Sequence, residues 1–166
     1  MASPNPEPPP RAMGLDYGEA RIGVAVTDAL GMLAHPVETI DRRKTPRPEE
    51  RVRDLAAHLG AVVVVVGLPV RMDGTEGTAA AKVRKFAASL RRALPESVSI
   101  EFVDERLSTV EAQRHLRAAG HKARDSRPII DRAAAVVILQ DWLDQRHGPQ
   151  SLLLPDPWED DETNGP

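Results

Sequence analysis

Five consecutive valines, Val62 to Val66, constrain the fold of this chain more than any other feature of its sequence. A strand with one wet face alternates apolar and polar residues, whereas a continuous apolar run is expected of a strand that is covered on both faces. Such a strand lies inside a sheet that has helices on either side. The sequence therefore predicts an α/β fold in which this segment is a central strand.

The segments around the valine run alternate between strand and helix patterns. Strands are predicted at 14–18, 22–27, 36–40 and 98–103, and helices at about 47–59, 78–94, 108–120 and 128–146. The helix at 108–120 begins with a capping-box signature, Ser108 followed by Glu111. Three strands in succession predict an antiparallel meander, and the later strands, each reached through a helix, predict parallel crossovers. We therefore expect a mixed sheet flanked by helices.

Length and composition predict one domain with two tails. The chain has 166 residues, of which 41% are hydrophobic, and this is enough for one compact core but not for two. Residues 1–12 contain five prolines and little that could be buried, so we expect a disordered tail there. The folded domain is expected at 13–150, and residues 151–166 are expected to form a second, acidic and disordered tail.

Several classes of site and location are excluded or disfavoured by residue types. The chain has no cysteine, and its five histidines are never spaced at i, i+4, so any metal must be held mostly by oxygen. No apolar run approaches the ~20 residues that span a bilayer, and the proline-rich start does not resemble a signal peptide. We therefore expect a cytoplasmic protein with no membrane contact.

The net charge of −3 conceals an uneven distribution of charge. Five acids and no Lys or Arg lie in residues 155–166, and removing them takes the net charge from −3 to +2. Residues 79–95 contain five basic residues and no acid, and residues 114–132 contain six basic residues against two acids. These two basic patches are either phosphate-binding surfaces or ordinary solvated helix faces.

Asp16 is the first candidate for chemistry, because it interrupts an apolar strand segment. Gly14 and Gly18 lie two residues away on either side and share its face, so no side chain of the same strand flanks the carboxylate. Aspartate is disfavoured inside strands, and the alternative is that Asp16 is a turn residue.

A second candidate is the pair Asp104 and Glu105 at the end of the 98–103 strand. Asp104 continues the phase of Ile100 and Phe102, whereas Glu105 continues the phase of Val103, so only one of the two acids should point where Asp16 points. The sequence leaves open which one. The alternative is an ordinary acidic loop, paired with Arg106.

The third candidate is Asp131, which shares a helical stripe with Ala134, Ala135, Ile138 and Trp142. That stripe is predicted to be buried, and a lone ionised carboxylate there would cost several kcal/mol unless it were paired or bound to metal. Alternatively, Asp131 is a favourable first-turn acid at the positive end of the helix dipole.

Acids at three separate positions facing the sheet favour oxygen ligation of a hard cation. Mg²⁺, or Mn²⁺ in its place, prefers carboxylates and waters. Two such ions about 4 Å apart would activate a water and stabilise the leaving oxygen in phosphodiester hydrolysis. The residues therefore predict a two-metal nuclease, with Asp16, Asp104 or Glu105, and Asp131 as catalytic metal ligands.

Four segments resemble the motif blocks of the bacterial YqgF/RuvX family. They are GLDYGEARIGVAVTD (14–28), VVGLPVRMDGTEG (65–77), VDERLSTVEA (103–112) and IIDRAAAVVILQDWLD (129–144). The resemblance implies a ribonuclease H-like fold and a nuclease that matures the 5′ end of precursor 16S ribosomal RNA during ribosome biogenesis. A Holliday-junction resolvase is the alternative that it implies. By motif position it carries over Asp16, an acid of the Asp104–Glu105 pair and Asp131 as metal-binding catalytic residues.

Two further functions compete with the nuclease. The Gly14-x-Asp16-x-Gly18 pattern resembles the first phosphate loop of sugar kinases and actin-like proteins, but those clamp ATP between two such domains and this chain has one. A nucleic-acid-binding module without turnover, as in larger proteins of the Tex type, is the second. The expected partner is precursor rRNA or branched DNA, and the sequence leaves open whether the protein is a monomer or a homodimer.

Overall fold

The computed structural model describes residues 10–105 and 127–147. The strands are β1 Arg11–Tyr17, β2 Arg21–Thr27, β3 Ala34–Asp41, β4 Ala61–Leu68 and β5 Ser99–Asp104, and the helices are α1 Pro48–Leu59, α2 Thr78–Ala93 and α3 Arg127–His147. The predicted helix at 108–120 and most of the second basic patch lie outside the described residues.

The five described strands form one mixed sheet in the order β3-β2-β1-β4-β5. β1 pairs antiparallel with β2, and β2 antiparallel with β3, as the predicted meander requires. β4 then pairs parallel with both β1 and β5. The valine run therefore lies in an interior strand, and the predicted mixed α/β sheet is confirmed.

Helices cover both faces of the sheet, and the alternation along each strand divides the core in two. On one face Met13, Leu15 and Val64 pack with residues of α1 and α2. On the other face Ala12, Val65 and Val103 pack with residues of α3, among them Ile138 and Leu139. We call the second the α3 face.

The ends of α1 and α2 follow from local sequence. Pro48 occupies the first turn of α1, where its missing N–H costs no hydrogen bond, and Gly60 ends the helix at φ 69°, a conformation that glycine adopts without strain. α2 stops before Leu94 and Pro95, because a proline cannot continue the hydrogen-bonded spiral. Both helices therefore begin and end within one residue of the positions that the sequence predicted.

Two sequence-based interpretations change. β1 begins at Arg11, two residues before the predicted domain boundary. Asp16 lies inside β1 and pairs with Gly23 of β2, so its interpretation as a turn residue is wrong; the turn is formed by residues 18–20. Within the described part of the chain, no helix has the length and apolar character needed to cross a membrane.

Candidate active site

Three polar or charged side chains are buried among the described residues: Asp16 and Glu105, each 5% exposed, and Thr27. Thr27 serves the fold, since its Oγ1 accepts a hydrogen bond of 3.0 Å from the backbone N–H of Ala12. The two buried carboxylates are unusual, because burying an ionised group costs more free energy than burying an apolar side chain of similar volume.

Asp16 lies on the α3 face, in phase with Ala12 and Gly14 of the same strand. Its β2 partner is Gly23, and β1 and β4 are in register at Leu15 and Val66, one residue before Asp16 and Gly67. Glycines therefore border the carboxylate on β1, β2 and β4. No side chain of these strand positions crowds the acid; instead α3 packs closely over Gly14, and Glu105 occupies the space over Gly67.

Glu105 lies over Gly67 on the same face. A Cβ atom on Gly67 would collide with Glu105 Oε1, and it would lie 3.1 Å from Glu105 Cγ and 2.6 Å from Ile138 Cδ1. The absence of a side chain at Gly67 thus makes the space that this glutamate fills. Because Gly67 is next to Asp16 in the sheet, both buried acids approach one short stretch of its carboxyl edge.

Asp104 lies on the opposite face. It pairs with Leu68, whose side chain belongs to the core under α1 and α2, and it is only partly buried. The period-two argument that one acid of the pair faces the Asp16 side therefore selects Glu105. Asp104 is not brought together with Asp16.

The third predicted acid, Asp131, lies in the first turns of α3, one turn before Ala134 and Ala135. Its side chain lies outside the described residues. Ala134, Ala135 and Ile138 are buried, so the predicted stripe of this helix does face the sheet. The position of Asp131 on the helix is the one that the sequence predicted, and its role stays a prediction.

The direction of α3 brings its first turns toward the edge with the two buried acids. A Cβ atom on Gly14 would lie 2.7 Å from Leu139 Cβ and 3.0 Å from the carbonyl oxygen of Ala135, so the helix crosses β1 in close contact. Gln140 reaches the start of β3, where its Oε1 accepts a 3.0 Å bond from the N–H of Ala34. Ala34 pairs with Thr27, at the end of the sheet away from Asp16.

The donor set suits a hard cation, although it is incomplete in the described region. Carboxylate oxygens at Asp16 and Glu105 are the ligand type that Mg²⁺ prefers. Among the described side chains, which do not include that of Asp131, no three His, Asp or Glu residues converge as a metal site. The pair of acids therefore fits an oxygen-ligated ion that needs a further ligand from elsewhere.

The first basic patch is partly neutralised by acids. Lys82 forms an ion pair with Glu19, and Arg84 binds both carboxylate oxygens of Glu76, with Arg84 Nε 2.9 Å from each. Arg91 donates to backbone carbonyls, including that of Val98 at 2.6 Å. Part of the positive charge at 79–95 is therefore engaged within the protein, and both interpretations of this patch stay open.

The loop between β4 and α2 rises from the same carboxyl edge. A bridge between Val70 and Glu76 closes it, and Gly74 turns the chain at φ 87°. Arg71 packs its guanidinium against Gly77, where a Cβ atom would lie 2.8 Å from Arg71 Nε. This loop holds an exposed cation close to the start of α2.

Two features of this edge were missed by the sequence argument. Gly67 was not singled out, and its use as the space for Glu105 has no sequence signal beyond its position directly after the valine run. Tyr17, adjacent to Asp16, was not singled out; by alternation it faces the α1 and α2 side, where its ring lies 4.8 Å from that of Phe86.

Comparison with known proteins gives a family match. Residues 10–145 match the model of the RuvX family, described as Holliday junction resolvase. The matched region includes every element from β1 to the greater part of α3, and therefore all four candidate acids.

Relatives of known name are similar over most of the chain. Proteins named "Putative pre-16S rRNA nuclease" from Mycobacterium leprae and Streptomyces coelicolor are 50% and 48% identical, over 81% of this chain and 73% and 80% of theirs. The protein of the same name from Crocosphaera subtropica is 44% identical over 81% of this chain and 93% of its own.

Solved structures show the same fold. RuvC of Thermus thermophilus in complex with a Holliday junction substrate is similar to this chain with a TM-score of 0.54 and 19% identity, over 84% of this chain and 96% of RuvC. A second structure of Thermus thermophilus RuvC has a TM-score of 0.51 and 16% identity. RuvC has a ribonuclease H-like fold, so the predicted fold class is confirmed.

Proposed function

The chain belongs to the RuvX family, and from this premise we propose that it is a metal-dependent nuclease that hydrolyses phosphodiester bonds in precursor 16S ribosomal RNA. The names of relatives up to 50% identical support the nuclease activity and the rRNA substrate. A hydrolase acting on nucleic acid follows from the family, and the metal and the RNA substrate are what we propose.

The observation that carries the proposal is the pair of buried carboxylates at one edge of the sheet. Asp16 and Glu105 are both 5% exposed and lie on the α3 face, with Glu105 over Gly67 and Asp16 on the neighbouring strand. A fold has no need of two acids there, since an apolar pair would pack at lower cost. Such an arrangement is typical of a site that is kept for function.

We assign the following roles to the residues of the chain. Asp16 and Glu105 would hold the metal, with Asp131 as the further ligand from α3. One or two bound Mg²⁺ or Mn²⁺ ions would supply an activated water and stabilise the charge on the leaving oxygen. The packed α3 face excludes bulk water behind the acids, and Arg71 in the neighbouring loop is suited to binding a substrate phosphate.

The test is to offer the purified full chain precursor 16S RNA, a four-way DNA junction and linear controls of both, with Mg²⁺ or Mn²⁺, and to map the ends formed. We expect cleavage at the 5′ end of the mature 16S sequence. Asp16→Asn should abolish cleavage and leave the circular dichroism spectrum unchanged, and the variant Glu96→Gln, an exposed acid far from the site, should cut like the wild type.

The four-way junction tests the alternative substrate, which the description of the family supports. Symmetric cutting of the junction with no cleavage of the RNA would identify branched DNA, rather than rRNA, as the substrate, and it would favour a two-fold dimer. Binding without cleavage of any substrate, or full activity of Asp16→Asn, would overturn the assignment of a nuclease site at these acids.

A further inference from the structure

A cavity of about 410 Å³ lies at the end of β1, on the face of the sheet opposite the buried acids. We call it the Tyr17 cavity; it is lined chiefly by Tyr17, Glu19, Arg42, Lys82, Lys85 and Phe86. Its size is within the ~300–1,000 Å³ typical of sites for small ligands and nucleotides. None of the roles assigned above uses it.

The cavity combines an aromatic floor with a cationic rim. Tyr17 and Phe86 are two of only five aromatic residues in the chain, and their rings lie 4.8 Å apart. Arg42 lies 4.9 Å above the Tyr17 ring and donates to the carbonyl oxygens of Gly18 and Glu19, so backbone oxygens hold its guanidinium in place. A flat base with a phosphate attached matches this surface.

Lys82 and Lys85 contribute two positive charges to the rim. Lys82 is paired with Glu19, and their hydrogen bond lowers the pKa of Glu19 and raises that of Lys82. Both side chains are more than half exposed, and exposed ion pairs contribute little net free energy. A phosphate can therefore replace Glu19 on Lys82, and Lys85 adds a second cation one turn along α2.

The position of the cavity links it to the candidate active site. Tyr17 follows Asp16 directly, and neighbouring residues of a strand send their side chains to opposite faces, so the two sites meet at the point where β1 ends. A strand of nucleic acid bent around this edge would contact both. In a duplex the bases are stacked inside and cannot enter a pocket, whereas a single strand can insert one.

We propose that the Tyr17 cavity binds one nucleotide of a single-stranded segment next to the scissile phosphodiester, so that the protein prefers substrates with an unpaired flank. This inference rests on the proposed nuclease function, and it specifies the class of substrate that the active site at this edge of the sheet accepts. The proposal also predicts that Glu19 weakens nucleotide binding. Glu19 and Glu49 both line the cavity, and the carboxylate of Glu19 competes with the phosphate for Lys82.

The test uses two substitutions with opposite expected signs. Binding is measured by fluorescence anisotropy in EDTA with a labelled single-stranded RNA of about 12 nucleotides, and with the blunt duplex of the same sequence. Lys85→Ala should weaken binding of the single strand about three- to tenfold, and Glu19→Gln should tighten it. The controls Arg146→Ala, on α3 at the other face of the sheet, and Glu96→Gln make the same charge changes away from the cavity, and should alter binding by less than about twofold.

The inference would be overturned if the cavity variants changed RNA affinity no more than the control variants do. It would also be overturned if the cavity variants changed the affinity for single strand and duplex equally, or if Lys85→Ala and Glu19→Gln changed affinity in the same direction. Competition by uridine monophosphate as strong as by the RNA would assign the cavity to free nucleotides instead. Because binding is measured without metal or cleavage, failure here is distinct from failure of the nuclease proposal.

Discussion

The carboxylate of Glu105 fills the space that the missing side chain of Gly67 leaves in the sheet. The two residues lie on neighbouring parallel strands, and Gly67 pairs with Val103, two residues before Glu105. An acid just past the end of β5 is thereby brought back over β4, toward Asp16. The geometry of the candidate site depends on a residue that has no side chain.

Gly67→Ala should therefore impair activity more than stability. The added methyl group must displace Glu105 and Ile138, at a cost of about 1–3 kcal/mol in unfolding free energy, and a shift of the carboxylate by about 1 Å should reduce kcat about 100-fold. Urea denaturation and cleavage rates measure both effects.

Gly60→Ala is the matched control for this variant. Gly60 has φ 69° and no neighbour within 4 Å of an added Cβ, so alanine there costs about 1–2 kcal/mol of backbone strain far from the acids. It should lose stability and keep kcat. Equal kcat in the two variants would show that Gly67 does not position Glu105.

The substitution Asp131→Asn tests whether Asp131 is a metal ligand or only a favourable acid at the start of the helix, because the two roles predict opposite effects on stability. If Asp131 completes the site, the change relieves repulsion among the acids, so the melting temperature without metal should stay or rise, and stabilisation by Mg²⁺ should disappear. If Asp131 acts only on the helix dipole, stability should fall slightly at low salt and the response to Mg²⁺ should persist. Melting curves with and without Mg²⁺ distinguish these results.

Thr27→Val tests the one buried polar side chain that we assign to the fold. Valine has nearly the same shape but cannot accept the hydrogen bond from the N–H of Ala12, which would be left buried without a partner. We expect a loss of about 1–3 kcal/mol in unfolding free energy, with unchanged cleavage per folded molecule. A loss below about 0.5 kcal/mol would mean that another group serves this N–H.

Asp141 on α3 should make the protein less stable at neutral pH. Burial and the nearby Asp144 raise its pKa, and its Oδ2 is buried without a hydrogen-bond partner among the described residues. An acid whose pKa is raised in the folded state opposes folding once ionised, and the penalty vanishes below the unfolded pKa of about 3.9.

Asp141→Asn should accordingly raise the melting temperature at pH 7, and the gain should shrink as pH falls toward 4. Asp144→Asn, which removes only the neighbouring charge, should give a smaller gain. Melting curves between pH 4 and pH 8 check both variants, and a gain that is independent of pH would exclude ionisation of Asp141 as its cause.

The sequence predicted the sheet well because its signals are local. The valine run, Pro48 and Gly60 each act on their own segment, so β4 and α1 follow from a few neighbouring residues. The choice between Asp104 and Glu105 could not be made in this way. It depends on the path of the chain after β5 and on the absence of a side chain at Gly67, about forty residues earlier in sequence.

The Tyr17 cavity was beyond sequence reasoning for the same reason. Tyr17, Arg42 and Lys85 come from β1, the segment after β3, and α2, and no spacing along the chain connects them. The basic patch at 79–95 pointed to α2, but the sequence did not show that Glu19 and Glu76 neutralise part of it.

The most direct test of the central claim compares Glu105→Gln with Asp104→Asn in single-turnover cleavage of precursor 16S RNA with Mg²⁺. The substitutions remove one charge each from adjacent residues, and the structure assigns the two side chains to opposite faces of the sheet. We predict that Glu105→Gln reduces the rate constant about 100-fold or more, whereas Asp104→Asn changes it by less than about threefold. Equal losses, or a larger loss for Asp104→Asn, would contradict an active site built on the α3 face around Gly67.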